Sequence, residues 1–83
     1  MDKKEIETRV KKVIAGVLKV DESSITAETN FIFDLGADSR QSMQLVCSFE
    51  EEFGIEMDPE KATEAQNVSS AVDFIAQSIE EQQ

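Results

Sequence analysis

Apolar residues recur about every three to four positions in three stretches of the chain, which predicts three main amphipathic helices. The first spans about residues 3–19, and the second begins at Asp38 and Ser39 and ends at Gly54, a residue suited to a helix C-terminus. The third follows Asn67, a good N-cap. The predicted inward-facing residues are Ile6, Val10, Val13, Ile14, Val17 and Leu18, then Leu45, Val46, Phe49 and Phe53, and finally Val68, Ala71, Val72, Ile75 and Ile79. Met43 and Cys47 lie at the border of the second apolar face, either as a contact spot for partners or as the margin of the core.

A fourth, short helix is predicted over residues 60–65, after the cap signal Asp58-Pro59. It offers only Ala62 and Ala65 to a core, so we expect it to be the least stable element. Strand-like alternation is absent from the sequence, and residues 80–83 are expected to fray. The predicted fold is all-α: a small bundle of three main helices plus one short helix, in a single domain over residues 1–83.

A long loop, residues 20–37, separates the first and second helices. It carries turn residues and no sustained period, so it is predicted to lack a long helix or strand. Apolar residues nevertheless occur in it, and we expect five of them to pack onto the core: Ile25, Phe31, Ile32, Phe33 and Leu35. A connection of this length within a compact domain is often functional.

Composition excludes several classes of function. The 83 residues include 8 basic and 18 acidic ones, giving a net charge of −10 that disfavours nucleic-acid binding. The absence of histidine excludes Ser–His and Cys–His nucleophiles, and the single cysteine, Cys47, excludes an intrachain disulfide. Asp34, Gly36 and Asp38 resemble the start of a calcium loop, but Leu45 stands where a bidentate glutamate is required, so we expect no metal.

The charge is distributed unevenly. Residues 1–20 have a balance of +3, whereas residues 21–83 have two basic residues against fifteen acidic ones. Opposite faces of this kind favour oriented docking on a basic protein partner, although acidity can also serve solubility alone. The chain has no apolar run long enough for a membrane span and begins with polar residues, so we expect a cytoplasmic monomer.

The most informative short segment is Asp34-Leu35-Gly36-Ala37-Asp38-Ser39. Asp38 is predicted to cap the second helix, with Gln41 completing a capping box, and Gly36 allows a sharp turn just upstream. Ser39 would then lie at the first helical position, where a phosphoester would meet free backbone N–H groups and the positive end of the helix dipole. Because no base is near in sequence, this serine suits modification by another protein. A purely structural helix cap is the alternative.

This segment, extended back to Phe31-Ile32-Phe33, resembles the loop and attachment site of acyl carrier proteins. The resemblance continues through Leu45-Val46, Phe49 to Met57, Val68, Ala71 to Ile75 and the apolar stripe of the first helix, and so covers essentially the whole chain. It implies that 4′-phosphopantetheine from coenzyme A is attached to Ser39 by a phosphopantetheinyl transferase, with Asp38 and Gly36 shaping the site. The arm would hold an acyl group as a thioester and present it to acyl-transferring and condensing enzymes with basic docking surfaces, and the carrier itself would not be an enzyme.

The sequence departs from the family pattern where partners are expected to bind. Arg40 replaces a common leucine after the serine, and Gln41 and Gln44 replace common acids. Phe33 and Ala65 are also unusual and are expected to alter the acyl cavity or its rim. We predict partner recognition by the residues Asp34, Arg40, Gln41, Met43, Gln44, Cys47, Glu50 and Glu51.

Several interpretations stay open from the sequence. The departures favour a carrier for a dedicated pathway over the main fatty-acid carrier. A peptidyl or aminoacyl carrier domain is one alternative, and an unmodified helical adaptor with a degenerate site is another. Cys47 is expected to be a buried or half-buried thiol rather than a reactive one, and the run of acids at residues 50–52 can be either a docking face or a solvated one.

Overall fold

A computed structural model describes residues 1–82 and contains four α-helices. They are α1 (Lys3–Leu18), α2 (Ser39–Phe53), α3 (Pro59–Ala62) and α4 (Val68–Glu81), with a 3₁₀ turn at Glu22–Ser24 inside the long loop. The predicted all-α bundle of three main helices and one short helix is therefore confirmed. No helix within residues 1–82 has the length and apolar character needed to cross a membrane.

Every helix begins at a side chain that accepts a hydrogen bond from a first-turn amide. These caps are Asp2, Asp38, Asp58 and Asn67. Such caps satisfy amides that have no partner within the helix. The predicted end of α2 at Gly54 is also confirmed, since Gly54 has a left-handed backbone with φ of 64°.

Two helices differ from prediction in their bounds. α1 stops one residue early, because Lys19 adopts a left-handed conformation with φ of 57°. The short helix spans Pro59–Ala62 instead of residues 60–65. Beyond Ala62, Glu64 and Ala65 donate to carbonyls three residues back, a tighter turn than an α-helix. With a single buried side chain, Ala62, α3 has little packing to sustain further turns.

The core forms where α1 packs against α2 and α4. Ile6, Val10 and Ile14 on α1 are fully buried, as are Val68 and Ile75 on α4. Ion pairs cross both interfaces: Lys3 to Asp73 at 2.9 Å and Arg9 to Glu52 at 3.6 Å. Part of the positive charge of α1 is therefore paired with acids on α2 and α4, so α1 does not form a wholly separate positive face.

The prediction that five apolar loop residues pack onto the core is wrong for two of them. Ile25 and Phe31 are buried and Leu35 is half-buried, but Ile32 is 58% exposed and Phe33 is 86% exposed. The cause is a closed helical turn at residues 30–35, in which Asp34 and Leu35 N–H groups donate to the Asn30 carbonyl. Phe31 and Leu35, four residues apart, share the inward face of this turn, whereas Ile32 and Phe33 point away from the core.

The loop is fastened to the start of α4 by backbone hydrogen bonds. Phe31 N–H donates to the Gln66 carbonyl at 3.0 Å, and Val68 N–H donates to the Thr29 carbonyl at 3.1 Å. The buried Thr29 hydroxyl accepts from Thr26 N–H at 2.8 Å. These bonds fix the loop relative to α4 although few of its side chains are buried.

The expected fraying of the C-terminus is wrong for Glu80 and Glu81, which belong to α4. Gln82 continues the ordered chain, because its amide oxygen accepts from Glu56 N–H at 2.9 Å and its amide nitrogen donates to the Glu56 carbonyl at 2.8 Å. Gln83 lies outside the described residues. The end of α4 therefore holds the connection between α2 and α3.

Candidate functional site

Ser39 is the first residue of α2, and its side chain is exposed. The predicted capping box is present: Asp38 Oδ1 accepts from Gln41 N–H at 2.8 Å, while Gln41 Oε1 accepts from Asp38 N–H at 3.1 Å. Asp38 and Gln41 form the cap by bonding to each other, so the Ser39 hydroxyl takes no part in it. It takes part in no hydrogen bond within residues 1–82 and is free to be modified.

The turn before α2 determines where Ser39 is presented. Asn30 Oδ1 accepts from the N–H groups of Ile32 and Phe33, both at 2.9 Å, and Asp34 Oδ2 accepts from Asn30 N–H at 2.7 Å. Gly36 then reverses the chain with a left-handed φ of 66°, which favours glycine. The carboxylate of Asp34, predicted to recognise partners, therefore also closes this turn.

A cavity of about 500 Å³ opens beside Ser39 and extends between α2, α3 and α4. Its wall is largely apolar, with Ser39, Ser42 and Asp38 near the start of α2 and Thr63 and Gln66 on the opposite side. Ala65 lies in this wall as expected, whereas Phe33 does not. The apolar lining residues are Phe31, Ile32, Ala37, Met43, Leu45, Val46, Phe49, Met57, Ala62, Ala65, Ala71 and Phe74.

Three exposed apolar side chains belong to the segments on either side of Ser39. Ile32 and Met43 both border the cavity, and Phe33 follows Ile32 on the fixed turn. Met43 is 41% exposed, which agrees with its predicted place at the border of the inner face of α2, where Leu45, Val46 and Phe49 fill the contact with the core. Exposed apolar residues near a modifiable group are typical of a contact surface.

A second, shallower groove of about 490 Å³ runs along α2 on its α1 side. Arg40, Gln44, Cys47 and Ser48 line it together with Val17 and Met43. The expectation that Cys47 is buried or half-buried is wrong, since this thiol is free and exposed to the groove. Arg40 is likewise exposed, and it enters no ion pair within residues 1–82.

The acids near the end of α2 differ in their contacts. Glu50 is half-buried, and its carboxylate accepts from Met57 N–H at 3.0 Å, which fixes the chain that leaves the helix. Glu52 pairs with Arg9, whereas Glu51 is exposed and in no ion pair of the described chain. Of the predicted recognition residues, Glu51 is thus better placed than Glu50 for an external partner.

Sequence reasoning missed the structural roles of Asn30 and Glu50. Asn30 gave a usable signal, because asparagine commonly caps a turn by accepting amides two and three residues ahead. Glu50 gave none, since its partner Met57 is seven residues away, beyond the end of the helix.

One family model matches the chain over residues 8–75, a span that runs from α1 into α4 and includes Ser39. The family is described as a phosphopantetheine attachment site. Domains of this family carry 4′-phosphopantetheine covalently and interact with modifying and biosynthetic enzymes.

The residues around Ser39 fit such a group. The backbone amides of Ser39 and Arg40 donate to no acceptor within the described chain, and Arg40, the next residue along α2, has an exposed cationic side chain. A phosphodiester at this helix N-terminus would be stabilised by those donors and by the helix dipole.

The role of Glu50 leads to a stability prediction. Replacing Glu50 with alanine leaves the half-buried Met57 amide without its acceptor, which should lower the free energy of unfolding by about 1–3 kcal/mol in urea titrations. Glu51→Ala is the matched control: it removes the same charge from an exposed position and should change stability by less than about 0.5 kcal/mol. Equal effects of the two substitutions would contradict a structural role for Glu50.

Proposed function

The chain belongs to the phosphopantetheine-attachment family of acyl carrier protein-type domains, and we propose that it is an acyl carrier bearing the arm on Ser39. The observation that carries this assignment is the exposed, unbonded Ser39 hydroxyl at the start of α2. It lies beside unpaired amides and at the mouth of an apolar cavity. The bound arm supplies a thiol that holds an acyl group as a thioester, an activated form available at high effective concentration to each enzyme that docks.

The chain's own residues present and shelter this cargo. The capping box and the Asn30 turn hold Ser39 at a fixed point, so the reach of the arm starts from a constant origin. The surroundings of Ser39 contain no histidine, so the hydroxyl has no imidazole base to make it a nucleophile. This supports a non-catalytic carrier over an enzyme.

The cavity supports an aliphatic acyl group as cargo. Phe31, Leu45, Val46, Phe49 and Phe74 present apolar surface to it, and burying an alkyl chain there contributes about 0.8 kcal/mol per methylene. An aminoacyl group would bring a charged amine to the same wall at a large desolvation cost. The alternative of a peptidyl or aminoacyl carrier is therefore less well supported.

The surface around Ser39 supports a dedicated pathway. The position after the serine is the exposed Arg40, and apolar contact area is offered by Phe33 and Ile32 on the loop. Partner enzymes of this carrier would need an apolar pocket facing the loop and fewer basic groups facing the start of α2, because Gln41 and Gln44 carry no charge. Such a surface discriminates against enzymes whose docking sites fit a carrier with a leucine after the serine and a row of carboxylates along α2.

Attachment at Ser39 is tested directly by mass. Incubation with coenzyme A and a promiscuous phosphopantetheinyl transferase should raise the intact mass by one phosphopantetheine unit. Ser39→Ala should abolish the gain, whereas Ser69→Ala, which changes an exposed serine in the first turn of α4, should leave it intact. A wild-type mass that stays constant with several transferases would favour the unmodified adaptor.

Cargo sheltering is tested by thermal unfolding of protein loaded from different acyl-coenzyme A donors. An octanoyl arm should raise the melting temperature above that of an acetyl arm, by about 4–8 °C for each kcal/mol gained from burial. Ala65→Phe should reduce this difference by filling the cavity. Equal melting temperatures of the octanoyl and acetyl forms in the wild type would mean that the cavity does not hold the cargo.

Partner choice is tested with the malonyl-transferring enzyme of general fatty-acid synthesis. The double variant Arg40→Leu/Gln44→Glu restores a leucine and a carboxylate to exposed positions of α2, and it should lower KM for the carrier about tenfold with kcat little changed. Lys12→Gln, at an exposed site on α1, removes one positive charge and serves as the control. A double variant with wild-type KM would contradict adaptation of this surface to other partners.

A further inference from the structure

We propose that the groove between α1 and α2 is a second binding site for the arm on Ser39, with Arg40 holding the phosphodiester. The inference rests on the proposed function and adds a resting place outside the apolar cavity. Six residues line the groove: Val17, Arg40, Met43, Gln44, Cys47 and Ser48. Arg40 lies at the Ser39 end of α2, and Ser48 lies more than two turns further along.

Charge complementarity favours the phosphodiester as the group bound at the top of the groove. Arg40 and Lys61 are the only basic residues between 21 and 83, and Arg40 makes no ion pair in the part of the chain that the structure describes. A phosphodiester on Ser39 would carry its negative charge next to this guanidinium. It would also lie near the carboxylate of Asp38, the residue before Ser39, whose repulsion the arginine offsets.

The chemistry of the groove fits the rest of the arm. Pantetheine contains two amides joined to short apolar segments, so it needs hydrogen-bond partners and apolar contact in alternation. Gln44 and Ser48 offer an amide and a hydroxyl, and Val17 and Met43 offer apolar surface. The cavity offers the larger apolar surface of the two sites, which suits an alkyl chain.

Met43 borders both sites, since it lines the cavity and the groove. It therefore lies between the two positions in which the arm can rest. The acyl group would determine which site the arm occupies. A long alkyl chain would bind in the cavity and bring the arm with it, whereas a short acyl group would leave the arm in the groove. The position of the arm would thus depend on the length of the cargo.

Cys47 provides a direct test, because it is the only thiol of the chain and lines the groove. Protein loaded from acetyl-coenzyme A carries an arm without a free thiol, so alkylation by iodoacetamide reports on Cys47 alone. Intact-mass analysis first verifies loading, and a failure at that step counts against the proposed function instead of the groove. With loading complete, alkylation of Cys47 should be about threefold slower in the acetyl-loaded protein than in the unmodified protein.

Arg40→Leu separates groove binding from general effects of the phosphate. If Arg40 holds the arm, the ratio of alkylation rates between unmodified and loaded protein should fall to about one in this variant, and Arg40→Lys should retain part of the protection. Equal rates in unmodified and loaded wild type would overturn the groove assignment. If loading slowed Cys47 alkylation equally in wild type and in Arg40→Leu, the role of Arg40 would be overturned. The slowing would then come from the charge of the phosphate, which is present in both proteins.

Backbone amide shifts give a second readout that does not depend on the thiol. Loading with an acetyl arm should shift the NMR signals of Val17, Gln44 and Ser48 in the wild type and much less in Arg40→Leu. Shifts confined to the cavity residues Ala62 and Ala65 would place the arm in the cavity alone and contradict the proposal. An octanoyl arm should reverse the pattern, moving the cavity signals and returning the groove signals toward those of the unmodified protein.

Discussion

The backbone pairing between the long loop and the start of α4 is the constraint on which the site depends. Ordering a loop of this length costs conformational entropy at every residue, and the loop buries few side chains in return. The hydrogen bonds of Phe31 to Gln66 and of Val68 to Thr29 offset part of that cost. They also give the first amide of α4 an acceptor that its own helix cannot provide. Both walls of the cavity are thereby fixed relative to each other.

Several acids of this chain are occupied in holding its backbone. Asp34 and Asp38 accept amides on either side of Gly36, and Glu50 accepts the amide of Met57 beyond the end of α2. These carboxylates keep their charge within the net −10, but they are less free than Glu51 to reorient toward a partner. The exposed Glu51 and the position of Arg40 bear more on partner choice than the total does, because contacts at the rim determine which partners approach.

Helices and caps could be predicted from the sequence because both are determined locally. The apolar period fixes which face of a helix is buried. Asp38 together with Gln41 specifies the start of α2, and Asn67 specifies the start of α4. The exposure of Phe33 could not be predicted from its hydrophobicity, since a turn closed by Asn30 directs it outward. The cavity could not be predicted from the sequence either, because its walls come from three helices and a loop that meet only in the folded chain.

Two demands meet at Arg40, the residue after the proposed attachment site Ser39. A leucine there offers apolar contact to a partner, whereas an arginine offers a counter-ion to the phosphodiester, and one side chain cannot do both. In this chain the cation occupies that position, while exposed apolar area lies on the opposite side of Ser39, at Ile32 and Phe33. Because the Asn30 turn fixes the backbone of Phe33, little loop entropy is lost when a partner covers its side chain. Apolar contact on the loop would thus leave the start of α2 available to the proposed arm.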